Sequence, residues 1–255
     1  MYNENIKKKK KIIQLFITIL LFLCVILFIV EIYSITIVSL SEKKDDEKNE
    51  MLISNLMQEI TNVDAILTDT NTDIDWNKLQ EINPDIVGWL VIDGTNINYP
   101  ILTGKNDFYL SHTYNQESNR NGSIIIKNIN LFEDNEINIY GHNMKNEIMF
   151  STLKNYMNKE FFNEHRHLYI YTSTGDYEGI IFSAYSYNVF AEEENIKELD
   201  FRNRVNYYHN NSIHSNSFEL EDINKIVKLT TCAYIDPKLN PTPDRYFIIA
   251  TLISI

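Results

Sequence analysis

KIVKLTTCAYIDPKLNPTPDRYFIIATLI, residues 225–253, sets two runs rich in β-branched and aromatic residues on either side of a segment carrying Pro237, Pro241 and Pro243. Each run has the length and composition of a strand. The prolines lack a backbone N–H for a sheet ladder, so the stretch between them reads as a loop. The same texture recurs upstream in WLVI (89–92), INYPIL (97–102), SIIIK (123–127), INIY (137–140), HLYIYT (167–172) and YEGIIFSAYSY (177–187), separated by Asn, Asp and Gly clusters. Helical patterns between them are short: EIMFSTLKNYM (147–157), KEFFNEH (159–165) and an insert over 192–211. Eight strands without strand–helix–strand alternation predict a mainly β fold, a closed or nearly closed eight-stranded β-barrel with short helices.

The N-terminal quarter is different. Lys7–Lys11 precede IIQLFITILLFLCVILFIV (12–30), which carries no charge. About 20 apolar residues is the length a helix needs to cross a bilayer core. A cleaved signal peptide has a shorter apolar centre and a small-residue cleavage site; only Ser34, Ser39 and Ser41 stand near this one, so a retained transmembrane anchor over 12–38 is the reading adopted. The lysines place residues 1–11 in the cytoplasm as a basic tail and the rest of the chain outside the cytoplasmic membrane. Next come the charged SEKKDDEKNE and a helical spacing of Leu52, Leu56, Ile60, Val63 and Leu67, read as a helical stalk over 39–74, either free or packed on the domain. Asp75 is placed to cap a short helix, WNKLQEI (76–82), and the globular domain takes 75–255.

The formal net charge is -12. Setting aside Lys7–Lys11, Glu4 and Glu31 leaves 18 basic and 33 acidic side chains in residues 41–255, a net of -15. Nucleic acid is excluded as a partner, because binding a polyanion relies on clustered cations. Of the two cysteines, Cys24 lies in the apolar run, so Cys232 is the only thiol of the exported part and cannot form a disulfide within it. A lone buried cysteine is either a small hydrophobe or a reactive group. Cys232 ends one strand run, His142 follows another in YGHNM (140–144), and Arg245 opens the last. A thiolate is a nucleophile, an imidazole can exchange its proton, and a guanidinium can hold a carbonyl oxygen that gains charge. Spacing alone does not bring the three together.

Tyr140-Gly141-His142-Asn143-Met144, Leu229-Thr230-Thr231-Cys232 and Arg245, in that order, resemble the signature elements of sortases. INPDIVGWLVIDGTNINYPIL (82–102) and NDFYL (106–110) resemble the start of the class B sortase domain in particular, and the likeness covers about 76–253. The resemblance implies a sortase-type β-barrel with Cys232 as nucleophile, His142 as acid/base, Arg245 as oxyanion-side cation and Thr230 beside the substrate. It implies cleavage of a C-terminal sorting motif of the Asn/Ser-Pro-x-Thr-Asn/Gly type after Thr, a thioester, and transfer of the surface protein to a peptidoglycan amine. The partners implied are such surface proteins, in some relatives tied to iron or haem capture, and the nascent cell wall. Neither a cofactor nor a metal is implied.

Two other readings stay open at this point: a cysteine peptidase, in which water resolves the acyl-enzyme, and a membrane-tethered binding module with Cys232 buried. His165 and His167 lack further metal ligands and read as surface residues. Tyr185, Tyr187, Tyr207 and Tyr208 read as packing, and Glu192-Glu193-Glu194 as a solvated helix start.

Overall fold

The computed structural model describes residues 2–60, 74–104, 107–127, 131–144, 147–214, 218–233 and 242–255. Val63 and Leu67 of the expected stalk, and Pro237 and Pro241 of the expected loop, lie outside the described residues. The chain divides into two compact units, Met1–Glu47 and Lys48–Ile255.

The first unit lies within α1 (Tyr2–Ile60), one unbroken helix. Its apolar side chains from Ile13 to Leu40 are exposed. Among the described residues it is the one helix long and apolar enough to cross a membrane. The hydroxyls of Thr18 and Thr36 within it donate to the carbonyls of Gln14 (2.9 Å) and Ile32 (2.8 Å) one turn back.

In the second unit the strand runs become β1 (Ile86–Ile92), β2 (Asn98–Leu102), β3 (Ile124–Ile126), β4 (Glu136–Tyr140), β5 (His167–Tyr171), β6 (Tyr177–Asn188), β7 (Ile226–Cys232) and β8 (Asp244–Thr251). They pair in the order β5-β1-β2-β3-β4-β7-β8-β6, and β6 pairs back to β5, which closes an eight-stranded barrel. A two-residue strand, β9 (Ile253–Ser254), adds to the edge of β6. All ladders are antiparallel except β2–β3 and β4–β7.

Alternation along the strands sorts side chains to two faces. Leu90, Ile92, Ile139, Val227, Leu229, Ile248 and Ala250 fill the barrel. Trp89 and Leu102 point outward and are covered by Leu79 of α2 (Trp76–Ile82) and by Leu52, Ile53 and Leu56 of α1, which is why the compact unit reaches back to Lys48. A third cluster covers the opposite outer face, where Ile226, Phe247 and Ile249 meet Val205 and Tyr208 of α5 (Phe201–Asn211) and Ile196 of α4 (Val189–Ile196).

The abundant Asn and Asp residues serve the helices as caps. Asp75 accepts from Lys78 N, Asn158 from Phe161 N at the start of α3 (Lys159–Glu164), Asn188 from Phe190 N and Ala191 N, and Asp200 from Asn203 N, each worth about 1 kcal/mol over Ala. The expected helix over 147–157 is shorter and tighter, a 3-10 segment at Ser151–Met157. Met149 instead bridges Asn143, and its N–H donates to the Tyr99 hydroxyl at 3.2 Å. Glu147 and Met149 hold φ of 59° and 53°, a conformation sparsely populated by residues with a side chain.

Candidate active site

Register builds the site. Cys232, the last residue of β7, is directly opposite Arg245 of β8, and Arg245 is directly opposite Tyr187 of β6. Directly opposed residues share a face, with Cβ atoms about 5 Å apart, so the thiol, the guanidinium and the phenol form one row on the outer face of the barrel. The next row along the same face is Thr230, Phe247 and Tyr185, with Tyr140 of β4 opposite Thr230 on the other side.

β4 brings the imidazole. It runs parallel to β7 with Tyr140 paired to Thr230, and Gly141 N donates to the Thr230 carbonyl at 3.3 Å. The chain leaving β4 is then tied to the end of β7 twice: the Thr231 hydroxyl donates to the Gly141 carbonyl (2.8 Å), and the Asn143 side-chain amide donates to the Cys232 carbonyl (2.7 Å). His142 sits between these ties. A side chain at Gly141 would fall 2.5 Å from Ile124 Cδ1 and 2.8 Å from Phe150 Cγ, so only glycine permits this approach of backbone to core.

His142 Nε2 lies 2.8 Å from the Leu110 carbonyl. A carbonyl only accepts, so Nε2 carries the proton in the neutral ring and Nδ1 keeps its lone pair. The turn bearing Leu110 is fixed by Ser123 N donating to the Tyr109 carbonyl at 2.8 Å. Arg245 Nη1 donates to the carbonyls of Thr242 (2.6 Å) and Asp244 (2.8 Å). Among the described residues no hydrogen bond of its Nε or Nη2 is found. Among the described residues no direct hydrogen bond joins the side chains of Cys232, His142 and Arg245; backbone pairing holds them together.

Thr230 is buried, and its hydroxyl has no hydrogen-bond partner among the described residues. It lies two residues before Cys232 on the same face. Burial pushes the Tyr140 phenol up from its ordinary range, helped by the carboxylates of Glu193 and Glu136. Ile196 and Glu192 of α4 meet Tyr185 and Phe247, so this helix packs on the row of Thr230. His165 and His167 are remote from this set: His165 stacks on Phe161 and His167 pairs with Glu178. Among the described residues no group of three His, Cys, Asp or Glu has metal-holding geometry.

The residues that sequence reasoning passed over are supports. Asn143 and Thr231 stood inside the quoted motifs and were assigned no role, and Leu110 acts through a backbone carbonyl that no side-chain pattern marks. Tyr187, which reads as packing in the sequence, stands in the row of Cys232.

A family model described as the Sortase domain matches residues 90–253. The chain belongs to the sortase family. Sortase B of Listeria monocytogenes is 33% identical over 195 residues, covering 73% of this chain and 79% of the relative. The crystal structure of Clostridium perfringens sortase B superposes with a TM-score of 0.60 at 32% identity, covering 69% of this chain and 98% of that one. The Staphylococcus aureus sortase B–substrate complex gives 0.62 at 27% identity, covering 85% and 96%. Class B is therefore the branch to which this sortase belongs, and its family chemistry is that of a cysteine transpeptidase.

Proposed function

We propose that this sortase is anchored by residues 12–38 with residues 1–11 inside the cell, extends through 39–74, and works outside the membrane with the domain from 75 to 255. Its substrates are surface proteins with a C-terminal sorting motif, and its acceptor is a peptidoglycan amine. The observation that carries the reading is the cross-strand pair Cys232–Arg245 with His142 delivered beside it by the end of β4.

The Cys232 thiol passes its proton to Nδ1 of His142, the thiolate attacks the carbonyl carbon of the motif's Thr, and the carbonyl oxygen gains negative charge. The Arg245 guanidinium donates to that oxygen, while the Thr230 hydroxyl, without a partner among the described residues, meets the substrate backbone. The C–N bond then breaks and the leaving amine takes a proton from His142, which leaves a thioester on Cys232. The acceptor amine attacks the thioester, His142 takes up its excess proton, the new amide forms, and the thiolate is released. Water in place of the amine would give hydrolysis by the same steps.

The test uses the full chain in detergent micelles, peptides of the Asn/Ser-Pro-x-Thr-Asn/Gly type, and triglycine as amine, followed by mass spectrometry. A thioester mapped to Cys232 together with ligated product is the expected result. Hydrolysed product alone would refute transfer. An unreactive Cys232 with no adduct from any peptide would refute the whole assignment.

A further inference from the structure

The acidic run at the start of α4 is not uniformly solvated: Glu193 and Glu194 are exposed, but Glu192 is 1% exposed. Its carboxylate is gripped from two other elements. Tyr185 of β6 donates its hydroxyl to one oxygen at 2.5 Å, and Tyr207 of α5 donates to the other at 3.1 Å. Asn195 in turn donates to the Tyr207 hydroxyl at 3.2 Å. Behind it lies a second buried carboxylate, Glu136 of β4. Tyr208 donates to Glu136 at 2.8 Å, and Lys228 and Arg204 pair with it at 3.4 Å and 3.2 Å.

An apolar side chain would pack this seam at lower desolvation cost than a carboxylate. What the carboxylate adds is direction, since both its oxygens must meet hydroxyls held on separate elements. The seam is also well placed. Tyr185 is opposite Phe247, which is opposite Thr230, one row from Cys232, Arg245 and Tyr187. In the same first turn of α4, Val189 N donates to the Pro243 carbonyl at 3.0 Å, two residues before Arg245.

We propose that Glu192 latches α4 in place beside the Cys232 row and thereby acts as a positioning residue for peptide recognition. The inference rests on the transpeptidase reading above. It says that the latch sets how well the wall of the groove fits a peptide, while the thiol chemistry is held independently by β4, β7 and β8.

The experiment compares the full chain in detergent micelles with its Glu192→Leu and Glu192→Gln variants. Peptides of the Asn/Ser-Pro-x-Thr-Asn/Gly type and triglycine supply KM and kcat, iodoacetamide reports the alkylation rate of Cys232, and hydrogen exchange reports the α4 amides. Glu192→Leu is expected to raise KM about tenfold, equivalent to about 1.4 kcal/mol. It should leave kcat and the alkylation rate within about twofold and speed α4 exchange about tenfold. Glu192→Gln, which keeps an acceptor for one phenol, should recover most of the KM. An unchanged KM with unchanged exchange overturns the latch, as does a loss confined to kcat. If Glu192→Leu fails to fold, the Tyr185→Phe/Tyr207→Phe double variant removes both donors at almost constant volume and carries the same expectations. Should the unmodified chain ligate no peptide, the transpeptidase reading falls. Faster α4 exchange in Glu192→Leu would then still establish the latch, and unchanged exchange would sink it.

Discussion

Replacing Gly122 by alanine alters no group with chemistry of its own, yet it is expected to disable the site. Gly122 holds a φ of +60°, and a Cβ built on it falls 2.6 Å from the carbonyl oxygen of Leu110 and 2.8 Å from that of Tyr109. These are backbone atoms and cannot swing aside. The Leu110 oxygen would have to retreat by about 0.6–0.8 Å to reach ordinary contact distance. That oxygen is the partner of His142 Nε2 at 2.8 Å, so the same displacement disturbs the length or angle of that hydrogen bond. Two costs follow. The left-handed backbone with a side chain costs about 1–2 kcal/mol, and overpacking against fixed atoms adds about 1–3 kcal/mol.

Loss of the orienting hydrogen bond frees the imidazole to rotate or change tautomer. Misplacement on the ångström scale costs on the order of 100-fold in rate, so kcat/KM for amine-dependent ligation is expected to fall about 10- to 100-fold. Gly175→Ala is the control. Gly175 also has a positive φ, +154°, but nothing lies within 4 Å of its Cβ position, and it sits in the β5–β6 turn away from the row. It should lose stability and keep kcat/KM. Thermal unfolding and ligation kinetics on both variants decide the matter. If Gly122→Ala ligates at the rate of Gly175→Ala, the Leu110 carbonyl does not orient His142.

Other substitutions probe the remaining supports. Thr231→Val removes the donor to the Gly141 carbonyl and should lower stability by about 1 kcal/mol and kcat/KM several-fold, read by denaturant titration and the ligation assay; an unchanged kcat/KM would mean that this tie does not position His142. Arg245→Lys keeps the charge but cannot hold two carbonyls and reach the substrate oxygen as a planar fork does, so kcat should fall about 100- to 1,000-fold, the range for a lost oxyanion donor. The carboxyl of Glu192 is pushed up by burial against the opposing pull of Tyr185, Lys228 and Tyr207, with Glu136 adding to the rise. The folded state therefore keeps this proton to higher pH than the unfolded chain, so the contribution to stability is present below the ordinary Glu range of about 4.3 and is lost as pH rises through the raised value. Denaturant titrations of the unmodified chain and Glu192→Gln should diverge in that sense between acid and neutral pH; a pH-independent difference would refute it.

Much of the fold is legible because a strand buried on one or both faces writes itself as β-branched and aromatic runs. All eight barrel strands fall on runs visible in the sequence, and the cap at Asp75 follows a local rule that needs no tertiary knowledge. Closure is different. The return of β6 to β5 depends on β6 being 12 residues long and pairing with β8 at one end and β5 and β9 at the other, and no single segment announces that. The segment 147–150 is not helical because Met149 bridges Asn143 in the preceding turn and donates to Tyr99 of β2, which is distant along the chain. Glu192 was misread for a related reason: charge runs look alike in sequence, and only the helix's orientation on β6 and α5 separates the buried member from its exposed neighbours.

The candidate site divides along the same line. Its reactive side chains are conspicuous types at strand ends, while what holds them is backbone: a cross-strand pair for Cys232 and Arg245, a carbonyl for His142, two carbonyls for Arg245, and a side-chain amide on the Cys232 carbonyl. Backbone supports carry no residue signature, but they impose one indirectly, because they restrict which residues can lie against them. Gly122 and Gly141 are those restrictions made visible, one against the Leu110 carbonyl and the other against Ile124 and Phe150. The two glycines therefore both report the placement of His142, one through the Leu110 carbonyl and one through the backbone beside it, and asking why they cannot be alanine says more about this site than adding another polar side chain to the row.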